Sequence, residues 1–441
     1  MSRNEGVIIV GAGLAGSEAA WQCLKRGVPV TLYEMKKQKK SPAHHTEAFA
    51  ELVCSNSLRS DRLENAVGLL KEEMRRLDSL VMLAADKTRV PAGGALAVDR
   101  VGFSEYITEI IRQHPLCRVV DEEMTEIPDT DTPVIIATGP LTSDEMCESI
   151  KKLPGMTTLS FYDAAAPIVY KESLDMTKCF RQSRYGRGDD YLNCPLNEEE
   201  YNAFITALLE AETAPIHGFE ETGVFDGCMP IESMARRGRM VPAFGPMKPV
   251  GLIDPRSGKP PFAALQLRQD DAGDSLYNLV GFQTRLKFPE QKRVFGMIPG
   301  LEQAEYARYG VMHRNTFLNS PGMLDEYYRL KTRENVFFAG QMTGVEGYVE
   351  SASSGLMCGL NAARMCLGQE LILFPDTTAH GALSHYVSRF NRNFQPMNIT
   401  FGLMPPPGGK FRGKQEKYAL VAQRALDAID GINMQLAESE E

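Results

Sequence analysis

The chain has 441 residues, 43% of them hydrophobic and 24% charged, and a net charge of −9. This length accommodates two or three domains with ample core, and the composition excludes a disordered, collagen-like or disulfide-scaffold chain. The acidic balance weighs against a general nucleic-acid binder. Nine cysteines are scattered from Cys23 to Cys366 with no two in a CxxC, the pattern of free thiols in a reducing cytosol rather than of a zinc or redox motif. The apolar run Val7–Val10 is too short for a secretion signal, and no 18-residue apolar stretch follows. The expectation is a cytoplasmic protein with neither a membrane span nor a metal site.

Val7–Val10 reads as a buried parallel strand. It runs into Gly11-Ala12-Gly13-Leu14-Ala15-Gly16, a GxGxxG turn. A helix over Ser17–Arg26 and a second strand, Val28–Tyr33, lead to Glu34, 23 positions after Gly11. Gly11 allows the tight turn, Gly13 lets the backbone approach a pyrophosphate, and Gly16 permits close helix–strand packing. Glu34 can accept hydrogen bonds from a ribose, and the unpaired N–H groups at the helix start suit phosphates. The pattern predicts a bound dinucleotide without choosing between NAD and FAD. Pro133–Gly139 reads as another buried strand ending in Ala137-Thr138-Gly139, similar to the strand that closes many two-dinucleotide flavoprotein domains.

The middle of the chain has a different texture. Asn197 with Glu200 predicts a capping box before a helix that carries Phe204, Ile205, Leu208 and Leu209 on one face. Phe262–Arg268 and Ser275–Leu286 are strand-like, and 240–261 is dense in Pro and Gly. Val336–Gly340 is again an apolar strand stopped by glycine, followed by a helix to Cys366 with small residues at Ala352, Gly355, Gly359 and Ala362. That stripe predicts close packing. The helix start, with Gly340, Gln341, Glu350, Ser351 and Ala352, is expected to point its positive end at a bound ring. A last amphipathic helix is expected over 411–432. The fold class expected is α/β: a discontinuous Rossmann-like FAD/NAD(P)-binding domain, 1–159 and 305–441, with a mixed α/β insertion domain over 160–304.

Five segments carry a family resemblance: GAGLAGSEAAW (11–21), ELVCSNSLRS (51–60), FDGCMPIE (225–232), GQMTGVEGYVESA (340–352) and FQPMNITFGLMPP (394–406). Together they resemble the folate/FAD-dependent tRNA uridine-5-methyltransferases, the TrmFO family, essentially end to end. The related GidA/MnmG flavoproteins share the glycine turn and the 340–348 segment but add a C-terminal helical domain, which is not expected after Glu441. The resemblance implies transfer of a methyl group to C5 of the T-loop uridine of tRNA. It implies 5,10-methylenetetrahydrofolate as the one-carbon donor and FAD recharged by NAD(P)H as the source of two further electrons. It leaves NADH against NADPH open.

Uracil C5 is a poor nucleophile, and thiolate addition at C6 makes it enolate-like. An ordinary cysteine is only a few per cent thiolate at neutral pH. Two cysteines lie inside the family motifs. Cys228 is expected to be the C6 nucleophile and Cys54 the second catalytic thiol, handling the proton or the flavin-bound carbon, with the two roles exchangeable. The other seven read as small buried apolar residues. Glu346, Arg59, Arg89, Asn56, His44 and His45 are lesser polar candidates. Four basic clusters could meet RNA phosphates: Lys36–Lys40; Lys178, Arg181, Arg184 and Arg187 with Phe180 and Tyr185 interleaved; Arg236, Arg237, Arg239 and Lys248; and Lys410–Lys417. Lys178–Arg187 and Arg236–Lys248 are the candidate tRNA contacts, and no obligate protein partner is inferred. The same chemistry on ribosomal RNA, a GidA-like flavin-binding partner module and a plain dehydrogenase are the competing readings. The last of these leaves the Cys228 motif without a purpose.

Overall fold

The computed structural model describes residues 6–41, 43–154, 156, 158–186, 188–214, 229–392, 394–409 and 411–438. Strand β1 (Val7–Val10), helix α1 (Leu14–Leu24) and strand β2 (Val30–Tyr33) make the opening βαβ unit. Next come β3 (Ser57–Ser60), α2 (Ala66–Arg76), α3 (Leu80–Lys87), β4 (Arg89–Val90) and β5 (Ala95–Val98), whose strands form a small antiparallel sheet ordered β3-β5-β4. Helix α4 (Arg100–Gln113), β6 (Cys117–Val120), β7 (Val134–Ile136) and α5 (Asp144–Lys151) follow. The middle of the chain holds β8 (Thr158–Ala164), β9 (Ile168–Tyr170), β10 (Phe180–Arg181), β11 (Tyr191–Leu196), α6 (Glu198–Glu210), α7 (Ile231–Arg237) and α8 (Val241–Phe244). It continues through β12 (Ala263–Gln269), β13 (Leu276–Leu279), α9 (Phe288–Phe295), β14 (Tyr306–Arg308) and β15 (Met312–Leu318). Strands β16 (Arg329–Leu330) and β17 (Arg333–Phe338) and helices α10 (Tyr348–Leu367), α11 (Ala379–Ser388) and α12 (Lys414–Glu438) complete the chain.

The apolar runs near the two ends of the sequence join one sheet, with β7 between them. One six-stranded sheet runs β16-β17-β7-β1-β2-β6, parallel from β17 to β6, with β16 antiparallel at its edge. Its register pairs Val10 with both Tyr33 and Ile136, and Ile136 with Phe338. The residues that follow these strand ends therefore share one rim: Gly11, Glu34, Ala137 and Ala339. In open parallel sheets the ligand site lies at this carboxyl edge.

A second six-stranded sheet, β10-β11-β12-β13-β9-β14, is antiparallel throughout. Helices α6 and α9 cover it with Tyr201, Phe204, Leu208, Val294 and Phe295, all fully buried. The ribbon β8–β15 carries the chain between the two sheets. The capping box forms as expected: Asn197 Oδ1 accepts the Glu200 N–H at 2.9 Å and Glu200 Oε2 accepts the Asn197 N–H at 2.8 Å. The strand expected to reach Leu286 stops at Leu279, because Gly281 takes φ +77° with Pro246 packed against it. Helix α1 begins at Leu14 rather than Ser17, with Gly13 as its N-cap, and the last helix runs Lys414–Glu438 rather than 411–432.

Helices α1 and α10 cross at their small residues. A Cβ placed on Gly355 would lie 2.1 Å from the Ala15 carbonyl oxygen, and one on Gly359 2.3 Å from that of Ala19. The small-residue stripe therefore brings the two helix starts together at the sheet rim.

Candidate active site

A cleft opens along that rim, where open parallel sheets hold their ligands. Gly11, Gly13, Leu14, Ala15, Glu34, Gly340, Gln341 and Ser351 line it. Gly11 has φ +96°, and a Cβ there would meet the Ala137 carbonyl oxygen at 2.6 Å. At Gly13 a Cβ would meet nothing within 4 Å, so the backbone faces open space. Neither α1 nor α10 has a side-chain cap at its start, which leaves first-turn N–H groups for a ligand. The Glu34 carboxylate accepts the N–H of Ala12 at 2.8 Å and of Lys36 at 3.0 Å, fixing it at the rim.

Four of the sequence candidates stand behind this wall. Ala12 is buried, and its N–H orients Glu34. Gly16 is a packing residue, since a Cβ there would overlap the Gly11 carbonyl. Ala352 is buried in the core with α1. Glu350 is fully buried: one oxygen pairs with the Arg59 guanidinium and accepts the Ile399 N–H at 3.0 Å, while Oε2 has no partner. Glu346 precedes α10 rather than sharing a helical face with Glu350, and it accepts from Gln341 Nε2 at 2.6 Å. Arg89 lies away from the cleft, paired with Asp61 and Asp86.

Sequence reasoning passed over part of the lining: Lys36 as a wall residue, Glu51, Glu122 to Met124, the Pro140–Ser143 turn, and Tyr348. Residues 122–124 follow β6 after Asp121, so a strand-then-acid pattern like that at Glu34 was the available signal. Tyr348 links the cleft to the first candidate thiol. Its hydroxyl oxygen accepts the N–H of Cys54 at 2.7 Å and of Ser55 at 3.2 Å. Burial pushes the Tyr348 hydroxyl up, and the Cys54 thiol beside it adds to the shift.

The Cys54 thiol lies 3.9 Å from the Ala164 carbonyl oxygen. Cys228 lies outside the described residues. The chain resumes at Met229, and Glu232 accepts from Thr284 Oγ1 at 2.9 Å. The Thr284 N–H in turn donates to the Ala165 carbonyl at 3.4 Å, next to the one the Cys54 thiol touches.

The basic clusters divide by environment. Lys37 pairs with Asp121, Lys39 with Glu123 and Lys178 with Glu302, and Lys36 is buried. Arg184 donates to the Pro246 carbonyl at 2.6 Å, and burial pulls it down to about 10. Arg187 and Lys410 lie outside the described residues. Lys248 instead sits 5.5 Å over the ring of Tyr185, 63 positions earlier in the chain, joining the two clusters, and Phe244 is 79% exposed.

This rim, with its glycine turn, acidic ribose position and two uncapped helix starts, defines a Rossmann-type dinucleotide-binding protein. A family model described as glucose inhibited division protein A matches residues 6–370. The chain resembles GidA of Aquifex aeolicus with TM-scores of 0.69 and 0.67 in two crystal forms, at 14% and 16% identity. These alignments cover 98% and 96% of this chain and 74% and 76% of the other. It is 61% identical over 435 residues to the methylenetetrahydrofolate--tRNA-(uracil-5-)-methyltransferase TrmFO of Listeria monocytogenes serotype 4b, covering 98% of this chain and all of that one. With the Bacillus pumilus protein of the same name the identity is 57% over 98% and 99%. The chain belongs to the glucose inhibited division protein A family and, within it, to the TrmFO methyltransferases.

Proposed function

We propose that this chain methylates C5 of the T-loop uridine in tRNA, with 5,10-methylenetetrahydrofolate as carbon donor, FAD as resident cofactor and NAD(P)H as reductant. The observation that carries this reading is the juxtaposition of a dinucleotide cleft with a thiol-bearing loop, joined through the Tyr348 hydroxyl. The residues present suit FAD. Open backbone at Gly13 and the uncapped start of α1 accommodate a pyrophosphate, Glu34 is placed for ribose hydroxyls, and Gly340, Gln341 and Ser351 flank the start of α10. When bound, the flavin supplies the two electrons that separate a methylene-level carbon from methyl.

The chain's own residues do the rest. Cys228 adds through sulfur to C6, which gives C5 the nucleophilic character to attack the methylene carbon. Cys54 moves the C5 proton, after which the C6–S bond breaks. The Arg236–Lys248 stretch, which no acid interrupts, is assigned to RNA phosphates. A cytoplasmic setting goes with that substrate. Separate Cys54→Ala and Cys228→Ala variants are each expected to lose tRNA methylation by on the order of a thousandfold while keeping FAD. Full activity with FAD retained in either would remove that residue from the reaction.

A further inference from the structure

Two arginines from two elements grip the Cys54 loop, and a third from another element lies within electrostatic reach of its thiol. Arg100 opens α4 and donates to the Leu52 carbonyl, two residues before the thiol. Arg268 on β12 is 6% exposed and donates to Asn56 Oδ1 at 2.9 Å and Ser55 Oγ at 2.6 Å, gripping the loop just after the thiol. Arg308 on β14 donates to the Ala43 carbonyl at 3.1 Å, and its buried Nε has no hydrogen-bond partner. All three are within electrostatic reach of Cys54.

Their counter-charge is thin. Asp270 holds Arg100 through two hydrogen bonds of 2.9 Å. Glu51, the carboxylate that faces Arg308, uses its oxygens on the N–H groups of His45 and Thr46 and on the Thr46 hydroxyl, with Lys36 and His44 beside it. Tyr191, which faces Arg268, and Tyr348 and His45 are the other titratable groups facing the cluster among the described residues, and burial holds Tyr348 and His45 in their neutral forms. Burial also pulls the Arg268 and Arg308 guanidiniums below the usual arginine range, whereas Asp270 overcomes it at Arg100. Cations gathered with so little opposing charge are costly unless an anion sits among them. Cys54 is an ionisable group within electrostatic reach of all three, and an arginine neighbour favours thiolate over thiol.

We propose that Arg100, Arg268 and Arg308 hold Cys54 as its thiolate in the resting protein, with Arg308 setting the charge state. This rests on the reading of Cys54 as the thiol that moves the C5 proton. The thiolate takes the proton from C5 and becomes the thiol. The C5–H electron pair forms the C5–C6 double bond, and the sulfur at C6 leaves as thiolate.

The test is alkylation of the FAD-loaded full chain by iodoacetamide between pH 5 and 10, with the Cys54 peptide followed by mass spectrometry. The midpoint for Cys54 is expected below about 7.5. Arg308→Gln is expected to raise it by about one pH unit or more, and Arg308→Lys to restore most of the difference. A midpoint at or above about 8.5 in the parent chain, no reaction through pH 9, or an unmoved midpoint in a FAD-loaded Arg308→Gln chain overturns the proposal. Should that variant fail to fold, the parent midpoint decides alone. A chain that makes 5-methyluridine but shows an ordinary Cys54 midpoint loses only the arginine assignment. One with a low midpoint and no 5-methyluridine loses only the proposed function.

Discussion

Lys71 is a fully buried ammonium that donates to the carbonyls of Leu58 and Ser60, each at 2.7 Å. Those carbonyls flank Arg59, whose left-handed backbone (φ +63°) delivers its guanidinium to Glu350. Burial pulls Lys71 down to about 7. The unfolded chain therefore keeps a proton that the native chain gives up between pH 7 and about 10.4, and stability rises with pH across that window. The limit is about 1.4 kcal/mol per pH unit, and the two carbonyl bonds, which favour the ammonium, keep the slope below it. Urea midpoints at pH 7 and 8.5 should rise in the parent relative to Lys71→Met, and equal slopes in the two chains would refute this. Glu34 offers a second check at this scale. Glu34→Ala removes the rim carboxylate and leaves the Ala12 N–H without its partner, so FAD affinity should fall roughly tenfold to a hundredfold by equilibrium dialysis.

At the scale of elements, the crossing of α1 and α10 decides whether the cleft exists. Ala15 and Ser351, one on each helix, both line it. Gly355→Ala would force the helices apart at the Ala15 carbonyl. It should cost about 1–3 kcal/mol of stability and release FAD, measured by thermal melting and by flavin absorbance after gel filtration. A variant that melts like the parent with full FAD would contradict the packing argument. The parts legible in the sequence are the local ones: the 11–16 turn, Glu34 after its strand, and the glycines of α10 each declare themselves within about 25 positions. The cluster around Cys54 is not legible, because positions 100, 268 and 308 meet only through the packing of both large sheets. The surroundings of the Lys178–Arg187 stretch are hidden in the sequence for the same reason. Charge in a sequence does not show that Arg184 is turned inward onto the Pro246 carbonyl, whereas the contact of Lys248 with Tyr185 joins two stretches that sequence treats apart.

For the whole molecule, the net charge of −9 is an average that conceals a segment without acids from Ser233 to Ile253. Reversing Arg236 and Arg237 to Glu should weaken tRNA binding and reduce the salt slope by about 2, with FAD content unchanged. Affinity equal to that of the parent at low salt would exclude this segment from the RNA contact. The two sheets, the ribbon between them and the α1–α10 crossing together place the Cys54 loop beside a dinucleotide cleft. The most direct measurement incubates the FAD-loaded chain with unmodified tRNA, methylenetetrahydrofolate and NAD(P)H, in parallel with ribosomal RNA fragments, followed by nucleoside analysis. The account predicts 5-methyluridine in the T-loop of tRNA and none in the ribosomal fragments. Unmodified tRNA after the full reaction, whether or not the ribosomal fragments are methylated, would contradict it.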